Sequence, residues 1–215
     1  MVVWIGSCTP APAWKRLPSK GYEEVLKFRS HLSAVVLALA TVFIVGAASG
    51  QNQIFDPRSL APFVPTPERV VERMLEIAEV SKDDVVYDIG SGDGRILITA
   101  AQDFKSKAVG IELNEILVKD TQRRVKELGL EDKIEVVQAD AIEADLSGAT
   151  VVTVYLLTAS NEQLRPKLER ELAPGARVVS HDFQFSGWQH EAMEEVEGQS
   201  RRHRVYLYRM PDKSE

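Results

Sequence analysis

The sequence predicts an α/β domain built on a doubly wound, seven-stranded sheet, mostly parallel with an antiparallel C-terminal strand. Three observations carry this. From Asp83 to Arg95, the β-branched run Val85, Val86 and Ile89 meets Gly90-Ser91-Gly92-Asp93-Gly94, and apolar residues at helical spacing follow. Beyond it, short apolar runs alternate with helical-period stretches, the pattern of strand–helix–strand units. At the end, two strand-like segments are joined by a hairpin through Gly198-Gln199-Ser200.

Taken in order, residues 1–31 contain three prolines, five basic side chains and no apolar period, and read as a disordered basic tail. Residues 32–49, LSAVVLALATVFIVGAAS, are an uncharged run at the lower limit for crossing a bilayer. One reading is a hydrophobic helix that makes a single-pass N-terminal membrane anchor. The other is the core of a signal peptide cleaved on export, which the small residues Ala47, Ala48, Ser49 and Gly50 favour. Basic residues ahead of the run predict that the folded domain lies on the far side of the membrane. Residues 50–65 form a proline-containing linker, and residues 66–215 the domain itself. The apolar stretch from Ala61 to Thr66 is either a stiff connection or a flap over a bound ligand.

The first helix of the domain is expected to start with Thr66 as cap and Pro67 in its first turn, with Val70, Val71, Met74, Leu75 and Ala78 as its buried stripe. The strand ending at Asp88, the glycine turn and a helix bearing Ile96, Leu97, Ala100 and Ala101 come next. A second strand, Ala108 to Ile111, ends in Glu112. Asn114 caps a helix expected to turn Leu117, Val118, Val125 and Leu128 inward before Gly129 stops it. The third strand, Ile134 to Gln138, leads to Ala139-Asp140-Ala141, and the fourth runs from Thr150 to Leu156. A helix with Pro166 near its first turn carries Leu164, Leu168 and Leu172, and Pro174-Gly175 stops it. Ala176 to Ser180 is the fifth strand, and a ribbon near Glu191 to Val196 pairs with Val205 to Tyr208.

Composition narrows the function. Cys8 is the one cysteine, so neither an intrachain disulfide nor a cysteine zinc site is available. The four histidines, His31, His181, His190 and His203, have no metal-ligand spacing, and no metal is expected. Residues 51–215 hold 21 basic and 30 acidic side chains, which argues against nucleic acid as a partner.

The glycine turn lies where an open α/β sheet binds ligands, at the carboxyl end of a strand and the start of a helix. It reads G-x-G-x-G, with Asp88 before it and Asp93 inside it, rather than the dinucleotide fingerprint G-x-G-x-x-G. Two carboxylates suit a cationic, amino-acid-bearing nucleoside better than a pyrophosphate. Asp93 is the weaker member, since an acid in a polar turn is often only solvated. Glu112 is placed to accept bonds from two ribose hydroxyls, and Asp140 from an adenine amino group.

These residues, acids at three successive strand ends in register with the loop, resemble the Rossmann-like S-adenosylmethionine (SAM) methyltransferases. The order FVPTP, YDIGSGDGRI, GIELN, YLL…N, LRPKLERELAPGARVVSHDF and GW, from Phe63 to Trp188, is similar to a small family of membrane-anchored methyltransferases. Its mitochondrial members methylate lysines of the ATP synthase c-subunit and the adenine nucleotide translocase. The resemblance implies SAM as cofactor, bound by Asp88, Gly90, Gly92, Glu112 and Asp140, and Ser91, Gly94, Asn114 and Ala141 are further candidates beside them. It implies a membrane location, in a bacterial envelope or a mitochondrial inner membrane, with a monomeric catalytic domain.

With the cofactor on the first three strand ends, the fourth and fifth must supply the acceptor site. Tyr155, Asn161 and His181 are the catalytic candidates, with Phe183, Phe185 and Trp188 as aromatic walls or as core. His181 is either a proton acceptor or a hydrogen-bonded structural histidine, and Asp182 is read as facing water. The foremost reading is methylation of a protein lysine on a membrane-associated protein. Methylation of a small molecule or envelope lipid, and SAM binding without turnover, are the alternatives. Nucleobase methylation is disfavoured, because no Asn-Pro-Pro-aromatic motif follows the fourth strand.

Overall fold

The computed structural model describes residues 58–198 and 200–212. The described residues belong to one compact unit, Phe55–Glu215. The basic tail, the apolar run 32–49 and the first half of the linker, residues 50–57, lie outside the described residues. Among the described residues, no helix is long and apolar enough to cross a membrane.

Strands β1 (Val85–Ile89), β2 (Lys107–Glu112), β3 (Ile134–Gln138), β4 (Val151–Val154), β5 (Arg177–His181), β6 (Ala192–Glu197) and β7 (Arg202–Arg209) form one sheet, ordered β3-β2-β1-β4-β5-β7-β6. The first five are parallel, and β7 is antiparallel to both β5 and β6. Strand order reverses between β1 and β4, which opens a crevice at their carboxyl ends.

Helices α1 (Glu68–Ile77), α2 (Arg95–Gln102) and α3 (Glu115–Glu127) cover one face, and α4 (Thr158–Glu171) packs on the other. Strand alternation divides the core in the same way. Val86, Val151, Val179, Val205 and Leu207 meet Val70, Met74, Leu75, Leu97 and Val118. Ile89, Val152, Val154, Val178 and Tyr208 meet Leu164 and Leu168. All four residues of β4 are buried, as its central place requires.

Four details depart from the sequence reading. The cap of α1 is Pro67, with no side-chain cap bond, because the Thr66 hydroxyl turns inward to His181, 3.2 Å away. Leu128 is 44% exposed, since Val118, Thr121 and Val125 already fill the inward face of α3. Strand β4 stops at Val154, and α4 begins as early as Thr158. Pro166 therefore lies inside α4 rather than near its start, and costs it one intrahelical bond.

Candidate active site

Asp88, at the end of β1, is 4% exposed. Its register partner on β4 is Thr153, whose hydroxyl donates to Asp88 Oδ1 at 2.7 Å. Burial raises the acid, the Thr153 bond opposes this, and the charges of Glu112 and Asp93 add to it, so its pKa is pushed up to about 7. Among the described residues, this buried acid beside other acids lacks a positive partner.

The loop folds back over β2. Gly90 N and Ser91 N both donate to Ile111 O, at 2.8 and 3.2 Å. Gly92 and Gly94 have φ of +55° and +74°, and each is also short of space. A Cβ on Gly92 would run into the Phe63 ring, and one on Gly94 into Thr121 Cγ2. Ser91 is buried under the loop, and its hydroxyl has no partner among the described residues.

Glu112 joins the loop to the second strand end: Oε2 accepts from Gly92 N and Oε1 from Asn114 N, both at 2.9 Å. Each oxygen keeps a lone pair for a ribose hydroxyl. The Asn114 side chain caps α3, accepting from Ile116 N and Leu117 N. Beside them, Ala139 N donates to Glu112 O at 3.1 Å, and Asp140 Oδ1 accepts from Ile142 N at 2.9 Å. Ala141 is half-buried. The three acidic strand ends and the glycine turn thus line one edge of the sheet.

Asp93 is not only solvated, although 30% of its side chain is exposed. It pairs with Arg95 at 2.6 Å, and although burial would raise it, that pairing holds it below the usual carboxylate range. Arg95 Nη1 also donates to Thr66 O at 2.7 Å. Together with the Phe63 ring on Gly92, this lays the 61–66 stretch across the glycine turn.

On the neighbouring strands, Tyr155 and His181 come together with ring centroids 3.8 Å apart. His181 is fully buried between Thr66 and His203, its Nε2 2.8 Å from His203 Nδ1. Burial drives its pKa down to about 4, so at neutral pH it is an uncharged member of a polar chain. Asp182 does not face water: its side chain is 11% exposed and its backbone left-handed, with φ of +60°. It accepts from Arg204 N at 3.0 Å, from Tyr155 Oη at 3.3 Å and from Arg201 on both oxygens. Burial would raise this acid, but the bonds from Arg201 and the Arg204 backbone hold it well below the usual range.

Asn161 lies apart from that pair. On α4, it donates to Phe183 O at 2.9 Å and Ser180 Oγ at 3.4 Å, while its buried Oδ1 has no partner among the described residues. Phe185 is core, 1% exposed and stacked on Trp188 at 4.7 Å. Trp188 Nε1 is spent on Glu169, 2.8 Å away. Of the three aromatic candidates only Phe183 faces Tyr155, with centroids 6.2 Å apart.

Sequence reasoning passed over Thr153, Arg201 and His203. The sequence held no sign of the last two, which reach Asp182 only through the β5–β7 pairing. That pairing also brings His181 Nε2, Asp182 Oδ2 and His203 Nδ1 within 4.8 Å of one another, a grouping that linear spacing conceals. Here the two histidines bond each other and Arg201 takes the carboxylate.

Residues 88–192 match the model of the ANTKMT methyltransferase domain. A protein-lysine N-methyltransferase of Saccharolobus islandicus is 53% identical over 148 residues, 68% of this chain and 92% of that protein. The lysine N-methyltransferase of the ATP synthase c-subunit from Mus musculus is 34% identical over 71% of this chain, which spans 58% of the mouse protein. The crystal structure of an RNA methyltransferase from Salinibacter ruber, in complex with S-adenosyl-L-homocysteine, is 47% identical with a TM-score of 0.65. It covers 71% of this chain and 97% of that one. With this likeness added to a glycine turn and three acidic strand ends on one sheet edge, the chain belongs to the ANTKMT methyltransferase-domain family and is a SAM-dependent methyltransferase.

Proposed function

We propose that the enzyme methylates lysine side chains of a membrane-associated protein, with the cofactor on the ends of β1 to β3 and the acceptor at the ends of β4 and β5. The observation that carries the placement is one shared sheet face. Asp88 and Thr153 are register partners, and Tyr155 follows Thr153 two residues along. Tyr155 therefore stands just past the end of β4, at the carboxyl edge.

When bound, SAM supplies a methyl group on a cationic sulfur. Asp88 would take its amino group and so gain a positive partner. Glu112 would receive the ribose hydroxyls, Asp140 the adenine amino group, and the Gly90–Gly94 turn would give the close backbone approach. Asn114 holds Glu112 in position through its backbone N–H. Ser91, buried under the turn, and Ala141, beside Asp140, would support that contact. Phe63 and the proline-stiffened stretch cover the site and exclude water, so that fixed dipoles surround the reacting atoms. Tyr155 and Phe183 would orient the acceptor amine, which must lose its proton to water before its lone pair can take the methyl group. His181, neutral and bonded at both nitrogens, positions Tyr155 rather than taking that proton.

A protein acceptor is supported by the names of the Saccharolobus and mouse relatives, and a membrane location by the apolar run 32–49. The Salinibacter neighbour, described as an RNA methyltransferase, favours RNA instead, which the acidic balance of residues 51–215 opposes. Incubation of the protein with methyl-labelled SAM and separated membrane, soluble and RNA fractions tests the reading. Label on lysine in a membrane protein is the expected result; label confined to RNA would refute it. Protease protection of intact vesicles reports which side the domain occupies.

A further inference from the structure

Asp182 is held as a receiving group by its surroundings. Just past the end of β5 it adopts a left-handed backbone, unusual for a residue with a side chain, and two bonds to Arg204 fix it there. Asp182 N donates to Arg204 O at 2.7 Å, and Arg204 N donates to Asp182 Oδ1 at 3.0 Å. The carboxylate is thereby aimed toward Tyr155, whose hydroxyl donates to Oδ2 at 3.3 Å. Behind it stand His203, His181 and Thr66, all buried. Beside it Tyr155 and Phe183 form a stacked aromatic wall.

A carboxylate, a phenol hydroxyl and aromatic faces together make a site for an organic cation. The chain itself already places one there. Arg201, at the β6–β7 hairpin, bonds both Asp182 oxygens and donates to Tyr155 Oη at 3.3 Å and Arg202 O at 3.0 Å. Half of its side chain is exposed, unlike the 11% of Asp182. The receiving groups are rigid and sheltered; the occupant is long and enters from solvent.

We propose that Asp182 and Tyr155 form the subsite that captures the positively charged side chain of the acceptor, and that Arg201 is a displaceable internal occupant of it. The inference rests on the lysine reading above and sharpens it, adding a capture residue that linear reading left in solvent. An arriving ammonium exchanges one cation for another at the same carboxylate, so no charge is left buried alone. Arg201 then swings out on the hairpin, and an acceptor must outcompete it. This makes the contact a filter: a weakly placed amine leaves Arg201 seated. A carboxylate so near favours the protonated amine, so the subsite serves capture, while the neutral amine keeps the Tyr155 hydroxyl as its partner.

The test titrates n-butylammonium, an analogue of the lysine side chain, into the full-length protein loaded with S-adenosylhomocysteine, by calorimetry and by chemical shifts at Tyr155. Arg201→Ala, and Arg201→Gln as a second variant if the first unfolds, should bind the probe about tenfold more tightly than wild type. Free guanidinium ion should compete with it in the variant. Asp182→Asn combined with either change should remove the gain. With a labelled acceptor protein, Arg201→Ala should lower KM and leave kcat within about twofold. Unchanged probe affinity in both Arg201 variants, or a fall in kcat with KM constant, would overturn the proposal and leave Arg201 as a brace for Asp182. Because the titration uses no acceptor protein, probe binding that follows Arg201 stands even if the label goes to RNA, and lysine labelling with no Arg201 effect removes the latch alone.

Discussion

Asp88 is the residue on which the proposed cofactor contact turns. Its pKa, pushed up to about 7 by burial, means that below neutrality the free enzyme holds a proton there that must leave before a cationic amino group can pair with it. Calorimetry of SAM binding at pH 6 in buffers of different ionisation enthalpy should therefore show close to one proton released, falling toward none at pH 8.5. Asp88→Asn keeps the Thr153 contact but cannot ionise, and should weaken SAM by roughly 10- to 100-fold, the value of a charge-assisted bond. Equal affinity in that variant would remove Asp88 from the cofactor site. Asp88 was legible in the sequence because a lone acid before a glycine turn stands out. Asp182 was not, because nothing local distinguishes it from any acid after a strand: its meaning comes from Tyr155 and Arg201, 27 and 19 residues away.

At the scale of elements, β2 shows how the glycine loop is seated. Gly110 lies under it, and a Cβ there would stand 2.7 Å from Ser91 Oγ and 2.5 Å from Leu97 Cδ1. Gly110→Ala should destabilise the protein by roughly 1 to 3 kcal/mol through overpacking, read by urea unfolding, and should weaken SAM binding as the loop lifts. A fully stable variant with unchanged affinity would show that the loop floats free of β2. The parallel strands themselves were readable from sequence, since short β-branched runs between helical periods leave little choice. Thr66 misled because a threonine before a proline satisfies the rule for a helix cap, yet a buried histidine offered its hydroxyl a better partner. Thr66→Val removes that partner at nearly constant shape. It should cost about 1 kcal/mol and raise the KM for SAM, because the stretch laid across the turn is then tied by the Arg95 bond without it.

Over the whole molecule, two buried groups set opposing pH dependences. In the fold Asp88 titrates near 7 against an ordinary 3.8, so the folded state binds the extra proton between those values. Its contribution is whole below about pH 4 and is lost as pH rises to about 7, at ~1.4 kcal/mol per unit and roughly 4 kcal/mol in all. His181 runs the other way. Burial depresses it to about 4 from 6.5, so the unfolded chain binds the extra proton, and roughly 3 kcal/mol is lost as pH falls from about 6.5 to about 4. Between about pH 4.5 and 6.5 the two slopes have opposite sign and similar size. Unfolding free energy of the cofactor-free protein should be nearly flat there, within about 1 kcal/mol, and should fall at more acid pH as the paired carboxylates Asp84, Asp93 and Asp182 take up protons. Single substitutions separate the components. Asp88→Asn should expose the histidine slope, losing stability on acidification while exceeding wild type at pH 8. His181→Gln should be less stable overall but gain stability on acidification from pH 6.5 to 4.5. If Asp88→Asn stays flat across that window while wild type does not, the slope belongs to the buried acid alone and His181 contributes none.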